Sequence, residues 1–176
     1  MKEIKISMYV YLVGEQNKDD NCFEGAYALF KIVCKSPYDG VRELISDDFR
    51  GCLKAVVSGA AKQEVDAIIE RNFGKDNFDL IMNGDELGGK GKPDPAPFKV
   101  ALQKLNLDNN EALVVENAPL GIKSAKDAGI RSIVTLNTSP LALEDFKDLI
   151  SEDRIFKDTK SAGRFLKKWC ISGNES

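Results

Sequence analysis

The sequence contains no histidine among its 176 residues. Histidine is the side chain that most often serves as a general base near neutral pH, and it completes the usual Ser-His and Cys-His nucleophile pairs. Most zinc sites in proteins also use it. Its absence therefore leaves carboxylates, lysine and a hard metal ion as the groups on which any catalysis here would depend.

Cysteine is scarce and its spacing carries no motif. The four cysteines, Cys22, Cys34, Cys52 and Cys170, form no Cys-x-x-Cys pair. Neither a zinc site nor a dithiol redox motif is indicated by such a pattern. We interpret the four residues as reduced thiols of a cytoplasmic protein.

Long hydrophobic runs and an excess of positive charge are also missing. The first apolar stretch, Ile4–Val13, is interrupted by Lys5 and Ser7 and is too short and too polar for a membrane span. The net charge of −3 provides no basic stripe for a nucleic-acid backbone. We therefore expect neither a membrane nor a nucleic-acid partner, whereas a small anionic ligand needs only local positive potential.

What the sequence does contain is enough for one globular domain, with 43% hydrophobic and 30% charged residues. From about residue 54, short apolar runs alternate with segments whose apolar residues lie three and four apart, which is typical of a parallel sheet covered by helices. We predict a three-layer, Rossmann-like α/β domain with a mainly parallel sheet. The predicted strands are Lys54–Val57, Phe78–Met82, Ala112–Val115, Arg131–Thr135 and, with a weaker pattern, Arg154–Phe156. The predicted helices are Lys62–Asn72, Ala96–Leu105, Leu120–Ala128, Leu141–Ile150 and Ser161–Trp169.

The first 36 residues do not follow this alternation. Ile4–Val13 is rich in β-branched and aromatic residues, which favours a strand. Phe23–Lys35 places apolar residues on one helical face, and Ser36-Pro37 would end that helix. We therefore divide the chain into an atypical N-terminal region at 1–36, an α/β core at 37–171 and a tail at 172–176. The N-terminal region is either the remnant of a cap or a substitute strand of the sheet.

Three segments place reactive side chains at the carboxyl ends of predicted strands or in the loops nearby. Ser58 and Gly59 lie between a strand and a helix, where a hydroxyl and backbone N–H groups can hold an anion, unless Ser58 merely caps that helix. Lys92 lies in GKGKPDPAPF, a Gly- and Pro-rich loop that presents its ammonium as a point charge. Glu116 ends the apolar run ALVV, so its carboxylate should emerge where oxygen ligands of a hard cation are usually supplied.

A structural role competes with a chemical one for several acidic residues. Asp94 precedes Pro95 and a helix, so we interpret it as a helix cap and not as a base. Glu116 has an alternative role as an acid that caps a helix or interacts with its dipole. We interpret Asp85 and Asp127 as solvated.

The order and spacing of these segments resemble the haloacid dehalogenase-like superfamily, and within it the β-phosphoglucomutase-like phosphatases. AVVSGA (Ala55–Ala60) is similar to the second motif of that family, GKPDP (Gly91–Pro95) to the third, and VVENAPLGI (Val114–Ile122) to the fourth. PYDGVRELI, from Pro37, is similar to the stretch that leads into the second motif. The resemblance covers roughly residues 37–165.

This resemblance implies a Mg²⁺-dependent phosphoric monoester hydrolase or phosphomutase that acts on a small phosphorylated metabolite, such as a sugar phosphate. It implies that Ser58, Gly59 and Lys92 bind phosphate and that Lys92 is also catalytic, because the matching lysine steadies the nucleophile. It further implies that Glu116 and Asn117 help to hold Mg²⁺. Asn117 stands where many relatives carry a second acid, so the site would have one negative charge fewer.

One motif of the family is missing. Its members open with an apolar strand ending in Asp-x-Asp, whose first aspartate attacks phosphorus and whose second acts as acid and base, and no Asp-x-Asp occurs in this sequence. If Ile4–Val13 takes the place of that strand, Glu15 is the only carboxylate near the position of the aspartates. The chain between Val13 and Ser58 is also too short for the helical cap of most relatives, so we expect the cap to be reduced or absent.

Three functions are compatible with these residues. The chain is an enzyme that has replaced the missing nucleophile, a binding or regulatory module that keeps the pocket without turnover, or an inactive product of a shortened gene. Catalysis is in doubt because losing a covalent nucleophile can cost about six orders of magnitude in rate. The position of Ile4–Val13, either between the strands led by Ala55 and Ala112 or elsewhere, decides whether the sheet is complete. Self-association is left open, since an exposed sheet edge or an uncovered pocket would favour it.

Overall fold

The computed structural model describes residues 7–10, 37, 39–45, 52–136 and 141–172. Among these residues, no helix is both long enough and apolar enough to cross a bilayer. The strands are β1 (Ser7–Val10), β2 (Lys54–Val57), β3 (Leu80–Met82), β4 (Ala112–Glu116), β5 (Ser132–Leu136) and β6 (Ile155–Phe156). The helices are α1 (Val41–Glu43), α2 (Lys62–Asn72), α3 (Ala96–Leu105), α4 (Pro119–Asp127) and α5 (Thr159–Ser172). Short 3₁₀ turns lie at Lys75–Asn77, Gly84–Leu87, Leu143–Asp145 and Glu152–Arg154.

The six strands form one sheet in the order β3-β2-β1-β4-β5-β6, and every neighbouring pair is parallel. The predicted α/β class with a parallel sheet is thus confirmed. β1 lies in the middle, with Tyr9 opposite Ala55 of β2 on one side and Val114 of β4 on the other. The strand predicted at Ile4–Val13 is therefore confirmed over 7–10. It lies between the strands that contain Ala55 and Ala112, so the sheet has its middle strand.

Other predictions for the N-terminal region fall outside the described residues. These are the ends of Ile4–Val13, the helix at Phe23–Lys35 and the carboxylate of Glu15. Most of the chain between β1 and β2 is also outside, so the reduced cap stays a prediction. The proposed boundaries at 36/37 and 171/172 stay predictions as well, although the first region contributes β1 to the core sheet.

Two hydrophobic layers cover the sheet, one on each face. Residues alternate between the faces along each strand, so Leu113 and Val115 of β4 pack in one layer and Ala112 and Val114 in the other. The first layer includes side chains of α1, α2 and α5, and the second includes side chains of α3 and α4. By the same alternation, Glu116 at the end of β4 emerges on the face covered by α3 and α4.

Most elements begin and end close to their predicted positions. The bounds of β2, α2 and α3 are those predicted, and those of β3 to β6, α4 and α5 differ from the prediction by at most three residues. The helix predicted at Leu141–Ile150 is wrong. The segment forms only the 3₁₀ turn Leu143–Asp145, and the carboxylate of Asp145 accepts the N–H of Ala142 at 2.8 Å, which closes a local turn. Phe146 alone in this segment is fully buried, which is too little apolar contact to stabilise further helical turns.

Candidate functional site

The predicted site residues all lie at the carboxyl edge of the sheet. Ser58 and Gly59 follow β2, Glu116 ends β4, and Asn117 follows it. Lys92 lies in the loop that connects β3 to α3. Because β1 lies between β2 and β4, the carboxyl end of β1 lies between these two groups. This is the crevice where parallel α/β sheets commonly bind ligands.

An ion pair between Lys92 and Glu116 is at the centre of the site. The Nζ of Lys92 donates to Oε1 of Glu116. The Glu116 side chain is 2% exposed and that of Lys92 is 15% exposed, so both charges are largely withdrawn from water and each depends on the other. The sequence predicts both residues for the site but gives no signal that they contact each other.

The second carboxylate oxygen of Glu116 is also engaged. Oε2 accepts the backbone N–H groups of Asn117 at 3.1 Å and Ala118 at 3.2 Å, immediately before α4 begins. This is the helix-capping role considered for Glu116, since negative charge is stabilised at a helix N-terminus. With both oxygens occupied, the carboxylate fixes the direction of Lys92. Its role as a Mg²⁺ ligand stays a prediction.

Close approach of α4 to Glu116 requires the glycine at position 121. A Cβ built on Gly121 would overlap the carboxyl group of Glu116. The sequence interpretation did not single out Gly121, although the residue belongs to VVENAPLGI. The signal that could have revealed it is a glycine inside a helix, which usually marks a close approach.

The loop that carries Lys92 is held from both sides. Its ammonium nitrogen is 5.1 Å from the centroid of the fully buried Phe98 ring, a distance typical of a cation–π contact. Asp94 accepts the N–H of Ala96 at 2.7 Å, and its carbonyl accepts the Ser124 hydroxyl at 2.6 Å. The prediction that Asp94 caps a helix is confirmed, and the cap anchors the loop to α3 and α4.

The loop after β2 is a tight turn that contains Ser58. The Ser58 oxygen accepts the N–H of Ala60 at 3.1 Å, and α2 is capped instead by Asp85, which accepts the N–H of Lys62 at 3.0 Å. The alternative in which Ser58 caps α2 is therefore wrong. Asp85 is exposed, as interpreted, but it also makes this cap, which no local pattern could indicate because it comes from the next loop.

Gly84 holds this turn against the loop that follows β3. The N–H of Gly84 donates to the carbonyl of Ala60 at 2.8 Å. A Cβ at Gly84 would overlap the carbonyl oxygen of Gly59. The Ser58–Gly59 turn thus has a fixed position at the sheet edge.

Asn117 provides the observation that bears on a metal ion. Its Oδ1 is buried and has no hydrogen-bond partner within the described part of the chain, a rare arrangement that a cation or a water molecule would satisfy. However, the described residues contain no group of three or more His, Cys, Asp or Glu side chains that could hold a metal. Both oxygens of Glu116 are already engaged, and Mg²⁺ needs about six oxygen ligands, so Glu116 and Asn117 alone do not fit the ion.

Comparison with known proteins gives a family match over most of the chain. The model of the haloacid dehalogenase-like hydrolase family matches residues 5–135. That range includes β1 as well as the residues at the carboxyl edge, from Ser58 to Asn117.

Curated relatives share about a third of the residues in the matched regions. A haloacid dehalogenase-like hydrolase domain-containing protein of Arabidopsis thaliana is 32% identical over 130 residues, which are 69% of this chain and 40% of that protein. Protein CbbY of Cereibacter sphaeroides is 32% identical over 100 residues, 54% of this chain and 43% of CbbY. Validoxylamine A 7′-phosphate phosphatase of Streptomyces hygroscopicus is 35% identical over 81 residues, 46% of this chain and 35% of that enzyme. The chain thus spans less than half the length of these relatives.

Solved structures share the fold. A Thermotoga maritima protein assigned as a β-phosphoglucomutase has a TM-score of 0.70 at 23% identity, covering 82% of this chain and 66% of that chain. CbbY from Rhodobacter sphaeroides in complex with xylulose-1,5-bisphosphate has a TM-score of 0.60 at 23% identity, covering 82% of this chain and 68% of that chain. At such identities the likeness concerns the fold alone.

The buried ion pair generates a prediction about stability. We expect Lys92→Met to lower the free energy of unfolding by about 3 kcal/mol, because it leaves Glu116 as a buried charge without its counter-ion. The double variant Lys92→Met/Glu116→Gln should recover part of that loss. Urea denaturation measures both values.

The matched control for this prediction is the pair between Lys104 and Glu86. Its atoms are 3.0 Å apart, and the side chains are 46% and 38% exposed. Lys104→Met should therefore cost less than about 1 kcal/mol. If Lys92→Met and Lys104→Met lowered the free energy of unfolding by the same amount, the claim that burial makes the Lys92–Glu116 pair more important for stability would be contradicted.

A second prediction concerns the contact between Gly121 and Glu116. Gly121→Ala should lower the free energy of unfolding by about 1–3 kcal/mol, since the added methyl group forces the Glu116 carboxylate or α4 to move. Gly91→Ala is the control, because a Cβ there meets no atom within 4 Å. If thermal denaturation showed the same small loss of stability for Gly121→Ala and Gly91→Ala, the claim that α4 must approach Glu116 closely would be contradicted.

Proposed function

Because the chain belongs to the haloacid dehalogenase-like hydrolase family, we propose that its carboxyl-edge site binds the phosphate group of a small phosphorylated metabolite, such as a sugar phosphate. The observation that carries this proposal is the buried ion pair between Lys92 and Glu116. An ammonium group has three N–H donors, so Lys92 can contact Glu116 and a phosphate oxygen at the same time. Glu116 would then hold the positive charge in place before the ligand arrives.

The turn after β2 supplies the neutral half of the proposed site. Within the described residues, neither the N–H of Gly59 nor the hydroxyl hydrogen of Ser58 has an acceptor. Gly59 is exposed, and a Cβ there would meet no atom within 4 Å, so there is room for a ligand beside the turn. Two donors of this kind and one ammonium match the oxygens of a phosphate group.

Names of relatives support the ligand class. Two of the relatives are named as phosphatases of phosphorylated compounds. They are validoxylamine A 7′-phosphate phosphatase and a phosphorylated carbohydrates phosphatase of Thermotoga maritima. The CbbY structure contains xylulose-1,5-bisphosphate. We extend this class to the present chain because its proposed phosphate contacts lie in the matched range, 5–135.

Mg²⁺ is not part of the proposal. Glu116 and Asn117, the two predicted ligands, do not make a site for it among the described residues, although the Oδ1 of Asn117 is buried without a donor there. We therefore assign no step of a reaction to the ion. A cytoplasmic location and self-association also stay predictions.

Turnover is the second candidate, and the position of β1 favours it. β1 lies between β2 and β4, where relatives would carry the strand that ends in the nucleophile. The carboxyl end of β1 therefore lies between the loops of Ser58 and Glu116, and the nearest carboxylate after it in the sequence is Glu15. An Asp-x-Asp motif is absent from the sequence, so binding without turnover is the function that we favour.

Calorimetric titration tests the binding proposal. We expect inorganic phosphate and glucose 1-phosphate to bind, and Lys92→Met and Ser58→Ala each to weaken binding by roughly tenfold, since charge-assisted hydrogen bonds to phosphate are lost. Lys92→Arg keeps the positive charge and separates a binding effect from a folding defect. Lys104→Met is the control for a change of net charge. An unchanged affinity in the Lys92→Met and Ser58→Ala variants would contradict the proposal.

Phosphate release distinguishes a binding module from an enzyme. We expect the wild-type protein with Mg²⁺ to release no more phosphate from glucose 1-phosphate or p-nitrophenyl phosphate than the Lys92→Ala variant does, because the usual nucleophile is missing. Release that is abolished by both Lys92→Ala and Glu15→Gln would overturn this expectation. It would establish a phosphatase in which Glu15 is an unusual nucleophile or base.

A further inference from the structure

A cleft of about 950 Å³ lies at the edge of the sheet opposite the Lys92–Glu116 site. Its walls come mainly from the segments that precede three neighbouring strands, namely 108–110 before β4, 129–131 before β5, and 149–151 with Arg154 before β6. Because all the strands are parallel, these segments share the amino edge. The cleft is therefore separate from the carboxyl-edge site, and its size is that of a pocket for an organic molecule.

Positive charge predominates in this cleft. Lys126, Arg131 and Arg154 line it, and Asp108 is the acidic residue among the lining residues. Asp153 beside Arg154 offsets one further positive charge, which leaves a local excess of one cation in a chain whose net charge is −3. A concave surface lined by one sign of charge concentrates ligands of the opposite sign.

Two of the three cations are held in place by neighbouring groups. The Nζ of Lys126 donates to the carbonyl of Leu149 at 2.8 Å, which fixes the ammonium across the cleft. The Arg154 guanidinium lies 4.8 Å from the centroid of the Phe165 ring, and its Nε is 3.6 Å from the carboxylate of Asp153. Groups that are already ordered lose less entropy when a ligand binds.

The third cation is Arg131. It is exposed and makes no ion pair with another described residue. A planar guanidinium of this kind can donate two parallel hydrogen bonds to a phosphate.

The floor of the cleft is apolar. Leu149 and Ile150 are half-buried and supply the water-exposed apolar surface, because Ile130 and Ile133 beneath are only 1% and 5% exposed. An inorganic ion would leave this floor in contact with water, whereas a ligand with an apolar or planar body would cover it. We infer that the cleft binds an amphipathic organic phosphate, with the phosphate at Lys126, Arg131 and Arg154 and the body against Leu149 and Ile150.

Amide chemical shifts of the full chain test this inference, with adenosine monophosphate as the organic phosphate and inorganic phosphate as the reference. Adenosine monophosphate should shift the amides of residues 108–110, 129–131 and 149–154, and it should bind roughly tenfold more tightly there than inorganic phosphate. Arg131→Ala should weaken that binding roughly fivefold. Because Arg131 is exposed, this variant is expected to fold.

Lys123→Ala is the matched control for Arg131→Ala. Lys123 lies on α4 one turn before Lys126, is 54% exposed, pairs with Asp127 at 2.8 Å and is not part of the cleft. It should leave the affinity unchanged. The inference is overturned if adenosine monophosphate shifts only the amides near Ser58 and Lys92, if it shifts none, or if Lys123→Ala weakens binding as much as Arg131→Ala.

Discussion

The buried ion pair between Lys92 and Glu116 is the interaction on which the rest of the site depends. A carboxylate that is 2% exposed is stable in the folded chain only if its charge is compensated. Lys92 supplies the counter-charge, and the N–H groups of Asn117 and Ala118 satisfy the second oxygen. These contacts tie three parts of the chain together, namely the loop before α3, the end of β4 and the start of α4, which Gly121 allows to approach.

The position of β1 determines where this ion pair lies relative to the Ser58–Gly59 turn. β1 separates β2 from β4, so the Ser58–Gly59 turn and the ion pair lie on either side of β1 at the carboxyl edge of the sheet. The turn offers neutral donors, and the ion pair offers an ammonium whose direction is fixed. In the proposed site, a phosphate group contacts both. The cleft at the amino edge combines three cations with the half-buried Leu149 and Ile150, which is the basis for the organic phosphate inferred there.

Much of the fold follows from local patterns in the sequence. The helical spacing of apolar residues predicts α2 and α3 with their observed bounds, and the apolar run before Ser58 predicts β2. Local patterns fail where a contact between distant residues decides the outcome. The contact of Lys92 with Glu116 spans 24 residues and the cap of α2 by Asp85 spans 23, and neither leaves a periodic signal. Leu141–Ile150 has helical spacing, but only Phe146 is fully buried, so the pattern lacks the packing that would stabilise a helix.

The most direct test of the phosphate site is anomalous diffraction from a crystal of the full chain soaked with tungstate, an anion with the shape and charge of phosphate. The account predicts a tungsten peak whose oxygens are within hydrogen-bond distance of Lys92 Nζ and of the Ser58–Gly59 turn, with the ion pair between Lys92 and Glu116 intact. A peak found only at other positions, or a Lys92 side chain that has left Glu116 to bind the anion, would contradict the claim that this pair holds a preformed phosphate site.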